Sequence, residues 1–402
     1  MIIFSYYFLR RFIMKKLRNI LSVILAMVII FSSLSLFATA KDSKDVDRHL
    51  QFNENGEFKI LQIADIQEKY PLKRITKKLI REAIEVENPD LIVLTGDNIN
   101  STAGKKKSSA KSTINSVMSI FEDYGIPVAI VFGNHDTEGD VTRQQQMEWY
   151  EKFDCFIGCA GKDFNNNTCG TYYVPLYSST DKNDMIFNLW MIDSGADNTE
   201  NDLEGYAATT KAQVEWYKET CEQLEKENGK KVPSFMFQHI VVPEIFDALV
   251  KVPEGTEGAV EYCGDYYVLP ENAVGKLGET PGSPYYNNGQ FDAILQCGDV
   301  IGMFFGHDHL NTYDVDYKGV KLCCTPCTGF VSYNGIDNGV RTITLYEDDL
   351  ENFDTQVVTY LDYFDDNASR LLFTIHSDTT TSKEKAIARF KYPCAVILNL
   401  FK

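Results

Sequence analysis

Between Phe58 and His309 the chain repeats one device, a short apolar run that stops on a compact polar signature. "FKILQIAD", "DLIVLTGD", "IPVAIVFGNHD", "PSFMFQHI" and "DVIGMFFGHDH" each read as a buried strand, with amphipathic stretches between several of them. "KRITKKLIREAIEVEN" puts Ile75, Leu79, Ile80, Ala83 and Ile84 on one helical face before Pro89 stops it. Strands interleaved with helices restrict the fold to the α/β class. In such sheets the loops at the carboxyl ends of the strands converge on a rigid edge, where ligands bind. Signatures distant in sequence are therefore expected to meet in space.

The residue types in these signatures are selective. The chain has 6 His in 402 residues, and only His49 and His376 fall outside the strand-end motifs. The candidate donors are Asp65 and Gln67 ("ADIQ"), Asp97 ("TGDN"), Asn134, His135 and Asp136 ("GNHD"), His239 ("FQHI"), and His307 and His309 ("GHDH"). Carboxylate, amide and imidazole without thiolate suit Zn, Mn or Fe. Two ions about 3.5–4 Å apart, sharing a carboxylate, most often hydrolyse phosphate esters. Singly the signatures are weak: "GD" recurs in turns, a lone strand-end His is more often a satisfied core residue, and "GHDH" suits a solvated loop. The weight lies in their conjunction.

Charge narrows the partners. The "MKKLRN" segment from Met14, the apolar run Ile20–Phe37 and "ATA" at 38–40 form an export signal, with the true start at Met14. Without cleavage the same run is long enough to anchor the chain in a membrane. Residues 1–40 carry five basic and no acidic residues, so their removal takes the net charge from −18 to −23. Such an acidic surface repels nucleic-acid backbones, so no nucleic-acid partner is expected beyond a nucleotide as substrate. An acidic protein acting on anions needs local positive charge, which bound metal supplies. The expected location is secreted or cell-surface.

The remaining division is 41–57 as a lead-in, 58–350 as the catalytic domain, and 351–402 as a polar extension without an assigned role. Residues 251–290, rich in Gly and Pro, read as a long surface insertion. "GKKKSSAK" (104–111) reads as a solvated loop, with a cationic lip drawing in phosphate as the alternative. The ten Cys show no zinc-ribbon spacing and suit buried thiols or disulfides. Asn166 stands in an Asn-x-Thr pattern.

Taken in order, "ADIQ", "GDNI", "GNHD", "FQHI" and "FGHDHLN" resemble the calcineurin-like metallophosphoesterase superfamily. With "NNGQFDAIL", they resemble its purple-acid-phosphatase-related branch. The resemblance runs from about Phe58 to Leu345. It implies a four-layer αββα sandwich of two mixed β-sheets flanked by helices, with a dinuclear site at the sheet edge. Asp65, Asp97 and His309 would then hold one ion, and Asp97, Asn134, His239 and His307 the other, with Asp97 bridging. His135 would face the substrate phosphate and protonate or stabilise the leaving oxygen, with Asp136 orienting its ring. Two positions depart from the pattern. Many members have His where this chain has Gln67, a weaker ligand, and the purple enzymes have Tyr where this chain has Asn100, so no Fe(III)–Tyr colour is expected.

The expected activity is hydrolysis of phosphate monoesters by a water activated between two divalent or mixed-valence ions. A phosphodiesterase or nucleotidase is the alternative enzyme, because the 251–290 insertion could shape a pocket for a larger leaving group. A catalytically weakened metal- or phosphate-binding protein is the alternative outside enzymes, and Gln67 is the feature that favours it.

Overall fold

The computed structural model describes residues 49–399 apart from 163, 165–168 and 200. The export signal at 1–40 and the Asn166 pattern lie outside the described residues. The lead-in enters them at His49 and at once forms β1 (Leu50–Gln51).

Two large sheets carry the domain. In the first, β2 (Glu57–Ile63), β3 (Leu91–Thr95) and β4 (Val128–Val131) run parallel. The antiparallel strands β14 (Gly339–Tyr346) and β15 (Asp349–Thr359) complete the order β15-β14-β2-β3-β4. The second uses β5 (Tyr172–Tyr177), β6 (Met185–Ile192), β7 (Ser234–Gln238), β11 (Val300–Phe305), β12 (Asp314–Tyr317) and β13 (Val320–Cys324), ordered β1-β5-β6-β7-β11-β13-β12. β3 and β6 are buried along their whole length, as continuous apolar strands covered on both faces must be.

The inner faces meet through Ile60, Val93 and Val131 from one sheet and Leu189, Phe237 and Phe304 from the other. Phe235 packs edge-on against Phe187, Phe304 and Phe353 at centroid distances of 4.8, 5.0 and 4.7 Å. Outside the five-stranded sheet lie α1 (Arg74–Glu87), α2 (Lys107–Tyr124) and α3 (Arg143–Tyr150). Outside the seven-stranded sheet lie α4 (Lys211–Asn228) and α5 (Gln290–Cys297). α4 opens on a Thr210/Gln213 capping box and ends at Gly229 in the left-handed region. The result is the expected four-layer αββα sandwich. Among the described residues no helix is long and apolar enough to cross a membrane.

Four readings change. Residues 104–111 are not a loop: Ser101–Gly104 is a helical turn capped by Asn100 Oδ1, which accepts from Thr102 N at 2.9 Å, and α2 begins at Lys107. Lys105, Lys106 and Lys107 are exposed and do not line the cleft described below. Residues 251–290 hold most of a small sheet of β8 (Val250–Val252), β9 (Val260–Tyr262) and β10 (Asp265–Val268), ordered β8-β10-β9. The boundary at 350 falls inside β15, which pairs with β14 along nearly its full length. Beyond it, α6 (Asn367–His376) and α7 (Ser382–Asn399) follow. Tyr360, Phe364, Leu372 and Phe373 pack on Phe330 and on Ile75 and Leu79 of α1. β15 escaped sequence analysis because it is an edge strand whose exposed positions are polar, which weakens the apolar signal. Six of the ten Cys are buried.

Phe373 tests whether this last segment belongs to the core. It lies 5.9 Å from Phe330, nearly perpendicular to it, and is 5% exposed. Phe373→Ala is expected to lower stability by about 3–5 kcal/mol in urea unfolding, whereas a loose tail would tolerate it at no cost.

Candidate metal centre

Each candidate donor lies one to four residues beyond a strand. Asp65 follows β2, Asp97 follows β3, Asn134 follows β4, His239 follows β7, and His307 and His309 follow β11. Four of these turn residues adopt the left-handed region: Asp65 (φ 50°), Gln67 (38°), Asp97 (51°) and His307 (73°). For residues with a Cβ this costs on the order of 1–3 kcal/mol each, a strain that clusters at functional sites. Hydrogen bonds hold the turns. Gln67 N donates to Asp97 O at 2.9 Å and His307 N to Asp65 Oδ2 at 2.8 Å. Glycine makes the close approach possible, since a Cβ on Gly133 would lie 2.1 Å from Asp97 Oδ1.

The donors converge. Asp65, Asp97 and His239 offer ligand atoms within 4.8 Å of one another, all buried. His239 Nε2 lies 3.1 Å from Asn134 Oδ1 and 3.4 Å from Asp97 Oδ1. His309 Nε2 lies 3.3 Å from Asp65 Oδ1, and the His239 and His307 ring centroids are 5.0 Å apart. Gln67 Nε2 donates to Asp97 Oδ2 at 2.7 Å and sits 3.1 Å from His309 Nε2. The structure thus brings Asp65, Gln67, Asp97, Asn134, His239 and His309 into mutual contact, with the His307 ring beside His239.

Several features suit cations. Among the described residues buried Asp65 Oδ1 has no hydrogen-bond partner, which a buried carboxylate oxygen rarely tolerates. His239 Nδ1 faces Thr95 O at 2.9 Å and His309 Nδ1 faces Tyr333 O at 2.8 Å. A carbonyl only accepts, so each Nδ1 carries the proton and each Nε2 is left for the centre. This is the tautomer that outer partners impose on metal-binding imidazoles.

The electrostatics agree. Burial pushes the Asp97 carboxyl up, but His239, followed by His135 and His307, outweighs it and holds it well below the usual carboxylate range. Burial lowers His239, yet Asp97 and Asp65 raise it to about 9. Burial and His239 together hold His307 well below its ordinary value. Burial lifts Asp308 to about 7 against hydrogen bonds from Gly282 and Asn311.

The expected role of Asp136 does not hold. Its carboxylate accepts from Gly133 N at 2.8 Å and Ile99 N at 3.0 Å, so it braces the loop. Glu138 faces the His135 ring instead, with Oε1 2.8 Å from Nδ1. Burial lowers the His135 pKa, but Asp97 and Glu138 bring it above its ordinary value. Glu138 escaped notice because an acidic residue three positions past the His carries no signature of its own.

The donors open into a cleft of about 180 Å³, whose walls include His135, Tyr206, Glu279, Thr280 and Tyr333. The segment after the small sheet supplies part of the wall and is stitched to the "GHDHLN" turn. Gly282 N donates to Asp308 Oδ1 at 2.9 Å, Gly278 N to Asn311 Oδ1 at 2.8 Å, and Leu310 N to Glu279 Oε1 at 2.8 Å. A Cβ on Gly282 would lie 2.6 Å from His307 Nε2, so only glycine fits there. Tyr206, Glu279 and Tyr333 were invisible in the sequence because they sit in irregular loops.

Two measurements check this geometry. In metal-free protein His239 is protonated at neutral pH and must lose that proton to become a ligand. Calorimetry of Mn or Zn binding in buffers of different ionisation enthalpy should therefore show proton release at pH 7, with affinity rising as pH approaches 9. Glu138→Gln should lower the His135 pKa in an NMR titration of its ring, because it removes a facing negative charge.

A family model described as calcineurin-like phosphoesterase matches residues 58–311. The chain is 30% identical over 315 residues to "Probable inactive purple acid phosphatase 29" of Arabidopsis thaliana, covering 71% of this chain and 75% of that one. It is 27% identical to "Probable inactive purple acid phosphatase 14" of the same plant, covering 76% and 78%. Among solved structures it is similar to a dimetal phosphatase from Danio rerio at 14% identity and a TM-score of 0.45, covering 72% of this chain and 93% of that one. The family model spans more than half of the chain, which therefore belongs to the calcineurin-like phosphoesterase family.

Proposed function

We propose that the protein is an exported phosphoesterase that hydrolyses phosphate monoesters with two bound divalent or mixed-valence ions (Mn, Zn or Fe). The observation that carries this reading is the convergence of the carboxylate, amide and imidazole donors with His135 beside them in an open cleft. Asp65, Asp97 and His309, assisted by Gln67, would hold one cation. Asp97, Asn134, His239 and His307 would hold the other. Bound cations would neutralise phosphate charge and make water a better nucleophile at neutral pH.

The chain's own groups supply the rest. His135 is 35% exposed on its side chain, and Glu138 and Asp97 favour its protonated form. That is the state needed to hand a proton from the ring to the leaving oxygen. Asp136 keeps the loop in place through Gly133 N and Ile99 N. Export rests on the "MKKLRN", apolar and "ATA" sequence at 14–40.

A second reading is a weakened member that binds metal or phosphate without turnover. It draws on the Gln67 amide, whose Nε2 lies 2.7 Å from Asp97 Oδ2 and 3.1 Å from His309 Nε2 where many members have a His. The two plant relatives carry "inactive" in their names. Metal content separates the readings: about two ions per chain supports the enzyme, and one or none supports the binder.

The functional test uses the chain from Lys41 with p-nitrophenyl phosphate and its bis-ester, with added Mn, Zn or Fe. Monoester turnover well above diester turnover is expected. His135→Ala should keep its metal and lose roughly 10²–10⁴-fold in kcat, the usual range for a general acid. Asp97→Asn should lose both metal and turnover, and unchanged activity in that variant would refute the bridge.

A further inference from the structure

This inference rests on the phosphoesterase reading and names its substrate class. A phosphate held at the donors projects its ester group toward the remaining cleft walls. Among the described residues no lysine or arginine lines that space, whereas Glu279 and Asp308 do. A second anionic group on the substrate would face carboxylates with no cation to balance them. The aromatic surface there is fixed. The Tyr333 ring stacks on His309 at 4.1 Å and 11°, and Tyr206 meets His307 at 4.3 Å and 90°. Tyr333 is 48% exposed, so ring surface remains open to a ligand. Glu279 is anchored by Leu310 N at 2.8 Å on Oε1, and the Tyr333 hydroxyl lies 3.1 Å from Oε2. A positioned carboxylate sharing a cleft with two tyrosine rings is the chemistry that recognises an ammonium group.

We propose that Glu279, Tyr206 and Tyr333 form a subsite for a positively charged group, so that the ester cleaved is an alkylammonium phosphate of the choline or ethanolamine kind. In the reaction a water oxygen bonds to phosphorus and the P–O bond to the aminoalkyl group breaks. The leaving oxygen takes a proton, giving inorganic phosphate and the free amino alcohol. The subsite acts on specificity and touches no reacting atom.

The test compares phosphocholine with 3,3-dimethylbutyl phosphate, which has the same shape and no charge. The metal-loaded wild-type protein should favour phosphocholine by roughly 5- to 30-fold in kcat/KM, the range of a cation over aromatic rings. Glu279→Gln keeps an oxygen for Leu310 N while removing the charge, and should bring the ratio near unity. Tyr333→Leu should reduce the same ratio and serves if the first variant does not fold. Calorimetric binding of both esters to metal-loaded His135→Ala provides a readout without turnover. Equal preference, failure to bind phosphocholine, or an unchanged ratio in both variants would overturn the subsite. The p-nitrophenyl phosphate assay separates the two failures: turnover of that ester with no phosphocholine preference sinks the subsite alone. No turnover sinks the enzyme reading, while the binding ratio still decides the subsite.

Discussion

At the carboxyl edge of the sandwich, Gln62 Nε2 donates to Phe305 O at 3.0 Å, the His239 ring to Thr95 O at 2.9 Å, and His307 N to Asp65 Oδ2 at 2.8 Å. Each bond passes from one sheet to the other, and each is buried. Losing one would strand a buried polar group at about 1–3 kcal/mol, so the two edges are held in register. Without that register, Asp65 and Asp97 on one sheet could not face His239, His307 and His309 on the other. Arg143 extends the brace: its guanidinium pairs with Asp193 at 2.9 Å and donates to Gly133 O at 3.3 Å, tying the Asn134 turn to β6.

A core this rigid can hold strained turns. Four left-handed non-glycine residues surround one centre, and each is tied by a backbone or carboxylate hydrogen bond. The cost in backbone energy is carried by the hydrogen bonds that hold the donors together. Asp97 and Asp65 favour the protonated form of the His239 ring and raise it to about 9. A cation would take the place of that proton. Metal binding and proton release are therefore two views of the same exchange.

The insertion does more than decorate the surface. Its own small sheet projects a segment back onto the "GHDHLN" turn, where Gly278, Glu279 and Gly282 meet Asn311, Leu310 and Asp308. Among the described residues the cleft wall as a whole carries acidic and aromatic side chains and no lysine or arginine. On the proposed reading, phosphate charge would be met by the donor centre, and the wall would govern what is attached to the phosphate.

Much of this was legible in the linear chain. Apolar runs ending in Asp65, Asp97, Asn134, His239 and His307 have a period and a stop that local chemistry alone imposes, and from them followed the α/β class and the list of donors. What the chain could not disclose depended on which distant groups touch. Asp136 sits beside His135 in sequence, yet its carboxylate turns to Gly133 N and Ile99 N, and Glu138 takes the ring instead. β15 and Phe373 lacked a strong apolar pattern and became core only because α1 and β14 offered surfaces to cover. Tyr206, Glu279 and Tyr333 come from three separate loops, and loops have no periodicity to betray them. Hydrophobic patterning acts over neighbouring residues and survives in the sequence. The partner of a polar side chain is settled by packing between remote segments, so tertiary structure alone decided it.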